Sequence, residues 1–270
     1  MPELPEVETT CKGIAPYICG KKVISVVKRT SKLRWPLPKF LKKHLTGQII
    51  SSVTRRAKYI LLSTGNGTVI IHLGMSGSLR ITDRDVLAKK HDHVDIIFDK
   101  HILRMHDPRR FGAILWTNKS PESHKLLASL GPEPLSSEFT AEYLYGVSRN
   151  RRVSVKEFIM NAKIVVGVGN IYATEALFYS KIHPLKAAGK ISLPRYHLLV
   201  DAIKEVLADA VSRGGTTLRD FTNEDGKPGY FKQELQAYGR GNQPCLICSK
   251  PLRAIKIGQR TTTYCTHCQH

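Results

Sequence analysis

The chain has 270 residues, 41% of them hydrophobic, enough to bury one large core or two smaller ones with a short extra module. Its 42 Lys and Arg against 22 Asp and Glu give a formal charge of +20, far beyond what solubility needs, so a polyanionic partner is expected. The N-terminus is acidic and proline-bearing, unlike a signal peptide, and no run reaches the roughly 18 apolar residues of a membrane span, so the expected polyanion is nucleic acid rather than an anionic membrane and the expected setting is intracellular.

The opening stretch MPELPEVE places Glu3, Glu6 and Glu8 behind Pro2, and no acid follows until Asp83. Between Thr9 and Thr82 stand fourteen Lys or Arg residues. Residues 5–15 predict a short helix with Pro5 in its first turn and Glu6 and Glu8 at its positive end, which accounts for part of the acidity. From Lys22 to Thr117 the runs KVISVV, QIISSV, YILLS, TVIIHL, VDIIF and GAILW, separated by turn signals at 65–67 and 99–101, predict the antiparallel hairpins of a β-sandwich. KHDHVD sets His91 and His93 on one face of a strand, a metal-like spacing without a third ligand, so edge-strand or phosphate-contacting histidines are the preferred reading.

Beyond Glu122 the pattern turns helical, and the Gly-Pro-rich LGPEPLSSE at 130–138 marks a domain boundary. KIVVGVGNIYATEALF imitates a dinucleotide fingerprint, but Tyr172 occupies the third glycine position and the flanks read as helices rather than βαβ. Two readings stay open: a helix N-terminus offering free N–H groups to one phosphate, or a tight interhelix turn without a ligand. SLPRYHLLVDAIKEVLADAVSRGG is the clearest helix, with a cap candidate at Ser192 and a stop at Gly214.

Cys245, Cys248, Cys265 and Cys268 form C-x2-C-x16-C-x2-C, the spacing of a zinc ribbon in which two knuckles each present two thiolates to one tetrahedral ion. Residues 240–270 carry five Lys or Arg and no acid, so four thiolates and a zinc ion leave this module near +3 and suited to phosphate. Cys11 and Cys19 read as free buried thiols.

The blocks PELPEVE, RRAKYILL, IIHLGMSGSLR, HDHVD, DPRRFGA, LGPEPL, VVGVGNIYA, DGKPGYF, ELQAYGR and QRTTTYC run in order from residue 2 to the last cysteine. Together they resemble the formamidopyrimidine-DNA glycosylases, bacterial base-excision repair enzymes. The resemblance implies an α+β multidomain fold: an N-terminal antiparallel β-sandwich flanked by helices over 1–133, a helical helix-two-turns-helix domain over 134–237, and a four-cysteine zinc-ribbon hairpin over 238–270. It implies a bifunctional glycosylase and abasic-site lyase, monomeric and cytoplasmic, with one structural zinc ion. Such an enzyme flips oxidised purines out of double-stranded DNA, excises them and cleaves the strand by β,δ-elimination.

By the same resemblance Pro2 becomes the N-terminus after loss of Met1, and its secondary amine attacks the sugar carbon bearing the damaged base. Chemistry agrees, since an internal proline nitrogen is an inert amide whereas a terminal one is a nucleophilic amine. Glu3 is implied to protonate the sugar ring oxygen, with helix capping as its plainer role; Glu8 is read as a capping acid and Glu6 is left between the two. Lys58 is matched to a phosphate and sugar or base contact, and Arg260 to the phosphate beside the lesion. Met75, Arg109 and Phe111 match the set that fills the gap left by an extruded base. His72, His91, Arg110, Arg151, Asn170 and Tyr238 match backbone-phosphate contacts.

Two alternatives compete. A zinc-ribbon DNA-binding regulator explains charge and cysteines but has no use for a reactive terminal proline. A sister enzyme of the endonuclease VIII type, acting on oxidised pyrimidines, shares Pro2, Glu3 and the ribbon. PELPE in place of the sister's usual PEGPE, the Arg109 and Phe111 pair, and GGTTLRDFTNEDGKPGYF, which resembles a segment that folds over an oxidised purine, favour the purine enzyme.

Overall fold

The computed structural model describes residues 2–214 and 235–270; the purine-covering segment just named lies, beyond Gly214, outside them. Of the described residues, those up to Ala128 together with 211–214 form one compact unit, and Ser129–Ala210 together with 235–270 form the other.

The first unit opens with α1 (Leu4–Ile18), whose Leu4, Val7, Cys11, Ile14 and Ile18 recur every three or four residues and are all buried, giving one apolar stripe. The helix outlasts the expected 5–15 because Pro16 removes only one late hydrogen bond. Burial of Ile18, worth roughly 1.5–3 kcal/mol, offsets that loss, and the Cys19 N–H closes the last turn on the Ala15 carbonyl at 2.9 Å. Eight strands follow: β1 (Ser25–Lys28), β2 (Ser52–Arg56), β3 (Tyr59–Thr64), β4 (Gly67–His72), β5 (Ser78–Asp83), β6 (Asp92–Ile97), β7 (His101–His106) and β8 (Ala113–Thr117). A short α2 (Leu41–Leu45) precedes β2. All pairings are antiparallel, in sheets of order β2-β3-β4-β8 and β1-β6-β7-β5. Aliphatic residues of both sheets, with the stripe of α1, make one core that includes Ile60, Ile71, Ile114, Val94, Leu103 and Leu79.

Strands β5 and β7 fall outside the six runs expected from hydrophobicity, because each carries a buried arginine. Leu79, Ile81, Leu103 and Met105 face the core, while Arg80 and Arg104, paired in register, lie in a second buried layer. There Arg80 Nη2 bonds both Asp92 carboxylate oxygens at 2.8 and 2.7 Å, and Arg104 bonds Asp95 at 2.9 and 3.0 Å. Arg29 joins Asp95 at 2.6 Å, and the Arg104 Nη1 donates to the Val86 and Leu87 carbonyls of the loop above. Burial opposes ionisation of Asp92, but the Lys89 N–H, His106 and Arg80 together hold its carboxyl below the usual range.

Two local expectations need correction. His91 and His93 do not share a strand face, since His91 precedes β6 with φ +75° and His93 sits at the irregularity between Asp92 and Val94. Glu8 is not a cap: it lies in the second turn of α1 and binds Arg55 Nε at 2.8 Å, a partner 47 residues away.

The second unit contains α3 (Ala141–Ser148), α4 (Val155–Ile159), α5 (Asn170–Tyr179) and all but the last turn of α6 (Leu193–Gly214), this helix as expected, with the Tyr196 N–H bonded to the Ser192 carbonyl. Thr140 caps α3 and Ser154 caps α4. A hairpin of β9 (Arg253–Ile257) and β10 (Arg260–Tyr264) ends the chain, turning through Gly258 and Gln259, both at positive φ, as a two-residue type I′ loop requires.

Candidate active site and nucleic-acid interface

Glu3 is the N-cap of α1 and only 3% exposed. Its side chain accepts from the Glu6 N–H, while Glu6 Oε2 accepts from the Glu3 N–H at 2.7 Å, a reciprocal capping box. Glu3 and Glu6 are thus both capping residues, and the cap fixes the chain at the residue that follows Pro2. Lys58 stands in the two-residue β2–β3 turn behind Ala57, whose left-handed φ of +55° costs roughly 1–2 kcal/mol. Arg55 braces that turn, donating from Nη1 to the Ala57 carbonyl at 2.9 Å while Glu8 holds its Nε.

His72 ends β4 beside Tyr59, their rings 4.9 Å apart. Burial, with Lys58 and Arg34 nearby, lowers its pKa from 6.5 to about 4. It is therefore neutral at pH 7, and because its Nδ1 accepts from the Gly74 N–H at 3.0 Å, Nε2 carries the proton and is the available donor. Next come two loops. Met75, in the loop between β4 and β5, is 42% exposed, and Phe111, in the loop between β7 and β8, is 47% exposed. Arg109 lies over the Phe111 ring at 5.7 Å and donates from Nε to Ser76 Oγ at 3.2 Å. Arg110 is exposed and at φ +54°, and His91, its pKa lowered by partial desolvation, Lys90, His106, His93 and Arg110, is another donor at this end of the sandwich.

In the second unit Arg151 is exposed after α3, next to Asn150 at φ +62°. Asn170 opens α5, but its side chain is engaged: Oδ1 accepts from Lys156 Nζ at 2.7 Å and Nδ2 donates to the Thr261 carbonyl at 3.1 Å. Lys156, 1% exposed, also donates to Thr262 Oγ1 at 2.7 Å, so one buried ammonium joins α4, α5 and β10. Arg260 is exposed at the start of β10, next to Gln259 at φ +63°. Tyr238 is placed through its backbone, whose N–H donates to buried Glu175 at 2.7 Å. Of the eight non-glycine residues at positive φ among the described residues, Ala57, His91, Arg110, Asn150, Ser249 and Gln259 are, or adjoin, candidate site residues. Such strain concentrates at functional sites.

The sulfurs of Cys245, Cys248, Cys265 and Cys268 all lie within 4.8 Å of one another, with Cys248 to Cys265 at 3.5 Å and Cys245 to Cys268 at 4.0 Å. Four sulfurs at zinc–thiolate bond length on a tetrahedron would be about 3.8 Å apart, so the set fits a zinc ion. Desolvation and the neighbouring thiols push Cys268 up to about 12, a barrier to ionisation that a divalent cation removes. The knuckles rest on Phe178, Ala237 and Leu252, and Gln269 ties the last turn to the Leu177 and Ile182 carbonyls.

Three family models match in chain order: the formamidopyrimidine-DNA glycosylase N-terminal domain over 1–114, its H2TH domain over 130–222, and the zinc finger of formamidopyrimidine-DNA glycosylases and isoleucyl-tRNA synthetases over 242–270. The chain belongs to the formamidopyrimidine-DNA glycosylase family. Relatives of that name from Saccharophagus degradans and Methylococcus capsulatus are 58% and 56% identical over 270 residues, covering all of both chains. The Lactococcus lactis enzyme bound to DNA containing N7-benzyl-Fapy-dG has a TM-score of 0.90 at 33% identity, with 99% of each chain covered. A complex of the L. lactis enzyme with abasic-site DNA gives the same values. Family membership carries the glycosylase activity and the structural zinc of the four-cysteine ribbon.

Sequence reasoning missed Asp107, Ser76, Lys156, Glu175 and Arg55, which position the candidate residues rather than stand among them. Asp107, Ser76, Arg55 and Glu175 lie within runs already singled out, DPRRFGA, IIHLGMSGSLR, RRAKYILL and KIVVGVGNIYATEALF, whereas Lys156 lies in none.

Proposed function

We propose that the chain excises oxidised purines, formamidopyrimidines and 8-oxoguanine, from double-stranded DNA and then cleaves the abasic strand, working as a cytoplasmic monomer. The supporting observation is the buried capping box at the N-terminus, which holds Glu3 immediately behind Pro2. With Met1 removed, the Pro2 nitrogen attacks the C1′ carbon of the damaged nucleotide as the C1′–base bond breaks. Glu3 gives a proton to the ring oxygen, the ring opens, and the resulting iminium is the electron sink that lets the 3′ and then the 5′ phosphate leave.

Extrusion of the damaged nucleotide leaves a gap in the stack. Met75 and Phe111, two exposed apolar side chains in neighbouring loops, enter it, and the Arg109 guanidinium donates to the widowed base. Lys58, His72, His91 and Arg110 in the first unit, and Arg151, Asn170, Tyr238 and Arg260 in the second, hold backbone phosphates; His72 does so as a neutral donor, and Asn170 from the helix end that its engaged side chain anchors. The thiolates of Cys245, Cys248, Cys265 and Cys268 hold the zinc ion, which ties together the knuckles flanking the Arg260 hairpin. On this reading 1–133 is the catalytic domain, 134–237 the helical DNA-binding domain and 238–270 the zinc ribbon.

The test is borohydride trapping on duplexes carrying 8-oxoguanine or an abasic site. Mature protein traps covalently, and an N-terminal extension of a single residue, which converts the Pro2 amine to an amide, abolishes trapping. Equal turnover by a form that retains Met1 would falsify the nucleophile assignment. Comparing excision of oxidised purines with oxidised pyrimidines separates this reading from the endonuclease VIII type.

A further inference from the structure

We propose that Asp107 and Ser76 are positioning residues that hold the Met75 loop and the Arg109–Phe111 loop at one fixed spacing, and thereby set how sharply the enzyme distinguishes the base opposite the lesion. The inference rests on the reading of Met75, Arg109 and Phe111 as the gap-filling set.

Asp107 is 0% exposed and makes no ion pair among the described residues. Its carboxylate is satisfied by one donor from each loop: Oδ1 accepts from Ser76 Oγ at 3.1 Å, and Oδ2 accepts from the Gly112 N–H at 2.7 Å. Its carbonyl lies 2.9 Å from His93 Nε2 and accepts from the Arg110 N–H at 3.3 Å. The two loops also touch through backbone. Gly74 has φ +66°, and a Cβ there would lie 2.4 Å from the Phe111 carbonyl carbon and 2.5 Å from the Gly112 nitrogen. A buried carboxylate left half-satisfied is costly, so the loops cannot separate without breaking the clasp.

Ser76 passes the constraint on. While donating to Asp107, its Oγ accepts from Arg109 Nε at 3.2 Å, leaving the two Nη groups to face the widowed base. A guanidinium fixed at Nε offers two N–H donors in a set direction. Cytosine meets them with adjacent acceptors, N3 and O2, whereas adenine offers one acceptor, N1, beside a donor. A guanidinium free to turn serves either base with less distinction.

The experiment compares S76A, S76T, D107N and R109A with the unmodified enzyme in two measurements. One is the ratio of single-turnover excision rates for 8-oxoguanine opposite cytosine and opposite adenine. The other is the binding-induced rise in fluorescence of 2-aminopurine placed beside a tetrahydrofuran abasic analogue, which reports entry into the gap. S76A should keep the fluorescence rise but lose about fivefold in the ratio, the weight of one hydrogen bond; S76T should restore the ratio, and R109A should abolish it. D107N, at a fully buried position, should lower both readouts, so S76A is the deciding variant. A normal ratio in S76A, with R109A defective, overturns the proposal while sparing the gap-filling reading. A normal ratio in R109A overturns that reading, and the proposal with it.

Discussion

Replacing Glu175 by Gln should release the segment that carries Tyr238. The Glu175 carboxylate accepts from three successive backbone N–H groups: Gln236 to Oε2 at 2.8 Å, and Ala237 and Tyr238 to Oε1 at 3.0 and 2.7 Å. Gln keeps one oxygen, enough for two of the three donors, and turns an amide NH2 toward the third. Hydrogen bonds to a charged acceptor are worth about 1.5–3 kcal/mol each, so one lost bond plus a donor–donor contact should cost about 2–3 kcal/mol of local stability. That predicts amide exchange at 236–238 faster by roughly 30- to 150-fold, read by exchange mass spectrometry, with weaker binding to abasic-site duplex. Glu175→Ala removes all three acceptors and should be worse. If E175Q left exchange at these amides within twofold of the parent, the carboxylate clamp would not be what holds them.

Cys248→Ser, or chelation, should abolish nicking while the first unit keeps its thermal transition; metal analysis finding no zinc in active protein would refute the ribbon. His72 should make stability pH-dependent. Its folded pKa is lowered from 6.5 to about 4, so below pH 6.5 the unfolded chain binds a proton that the folded chain refuses, and stability falls as pH drops through that window by up to about 3 kcal/mol. Urea titrations of the parent and of His72→Gln should diverge between pH 7 and about pH 4.5, and parallel curves would contradict the cause. Binding to duplex DNA should weaken steeply with salt, and loss of Lys58 or Arg151 should each reduce the log–log slope by about one; an unchanged slope would remove that residue from the phosphate contacts.

What the sequence displayed was whatever depended on neighbours along the chain. The cysteine spacing, the helix over Leu193–Gly214 and the acidic opening are local patterns. Strands β5 and β7 were obscured because Arg80 and Arg104 break the apolar alternation, and only the fold supplies Asp92 and Asp95 opposite them. Glu8 was misread for the same reason, its partner Arg55 being far along the chain. Most of the positioning residues share this property: Ser76 meets Asp107 across 31 residues, and Lys156 meets Thr262 across 106. A motif shows which side chains face outward, not what holds them there.

The arginine and aspartate layer on the outer face of β5, β6 and β7 also governs how the sheet assembles. Side chains alternate along a strand, so a one-residue slip of β5 or β7 would drive Arg80 or Arg104 among the aliphatic side chains of the core and strand Asp92 or Asp95 without a counterion. An uncompensated buried charge costs about 3–5 kcal/mol, a large share of a typical domain's stability, so the shifted pairings have almost no population even before the loops form. The Met75 loop enters β5, His91 enters β6 and Arg109 leaves β7. Charges paired with one another inside the sheet therefore act as a proofreader of strand alignment, fixing the length of chain left over at the end of the sandwich where those three side chains stand.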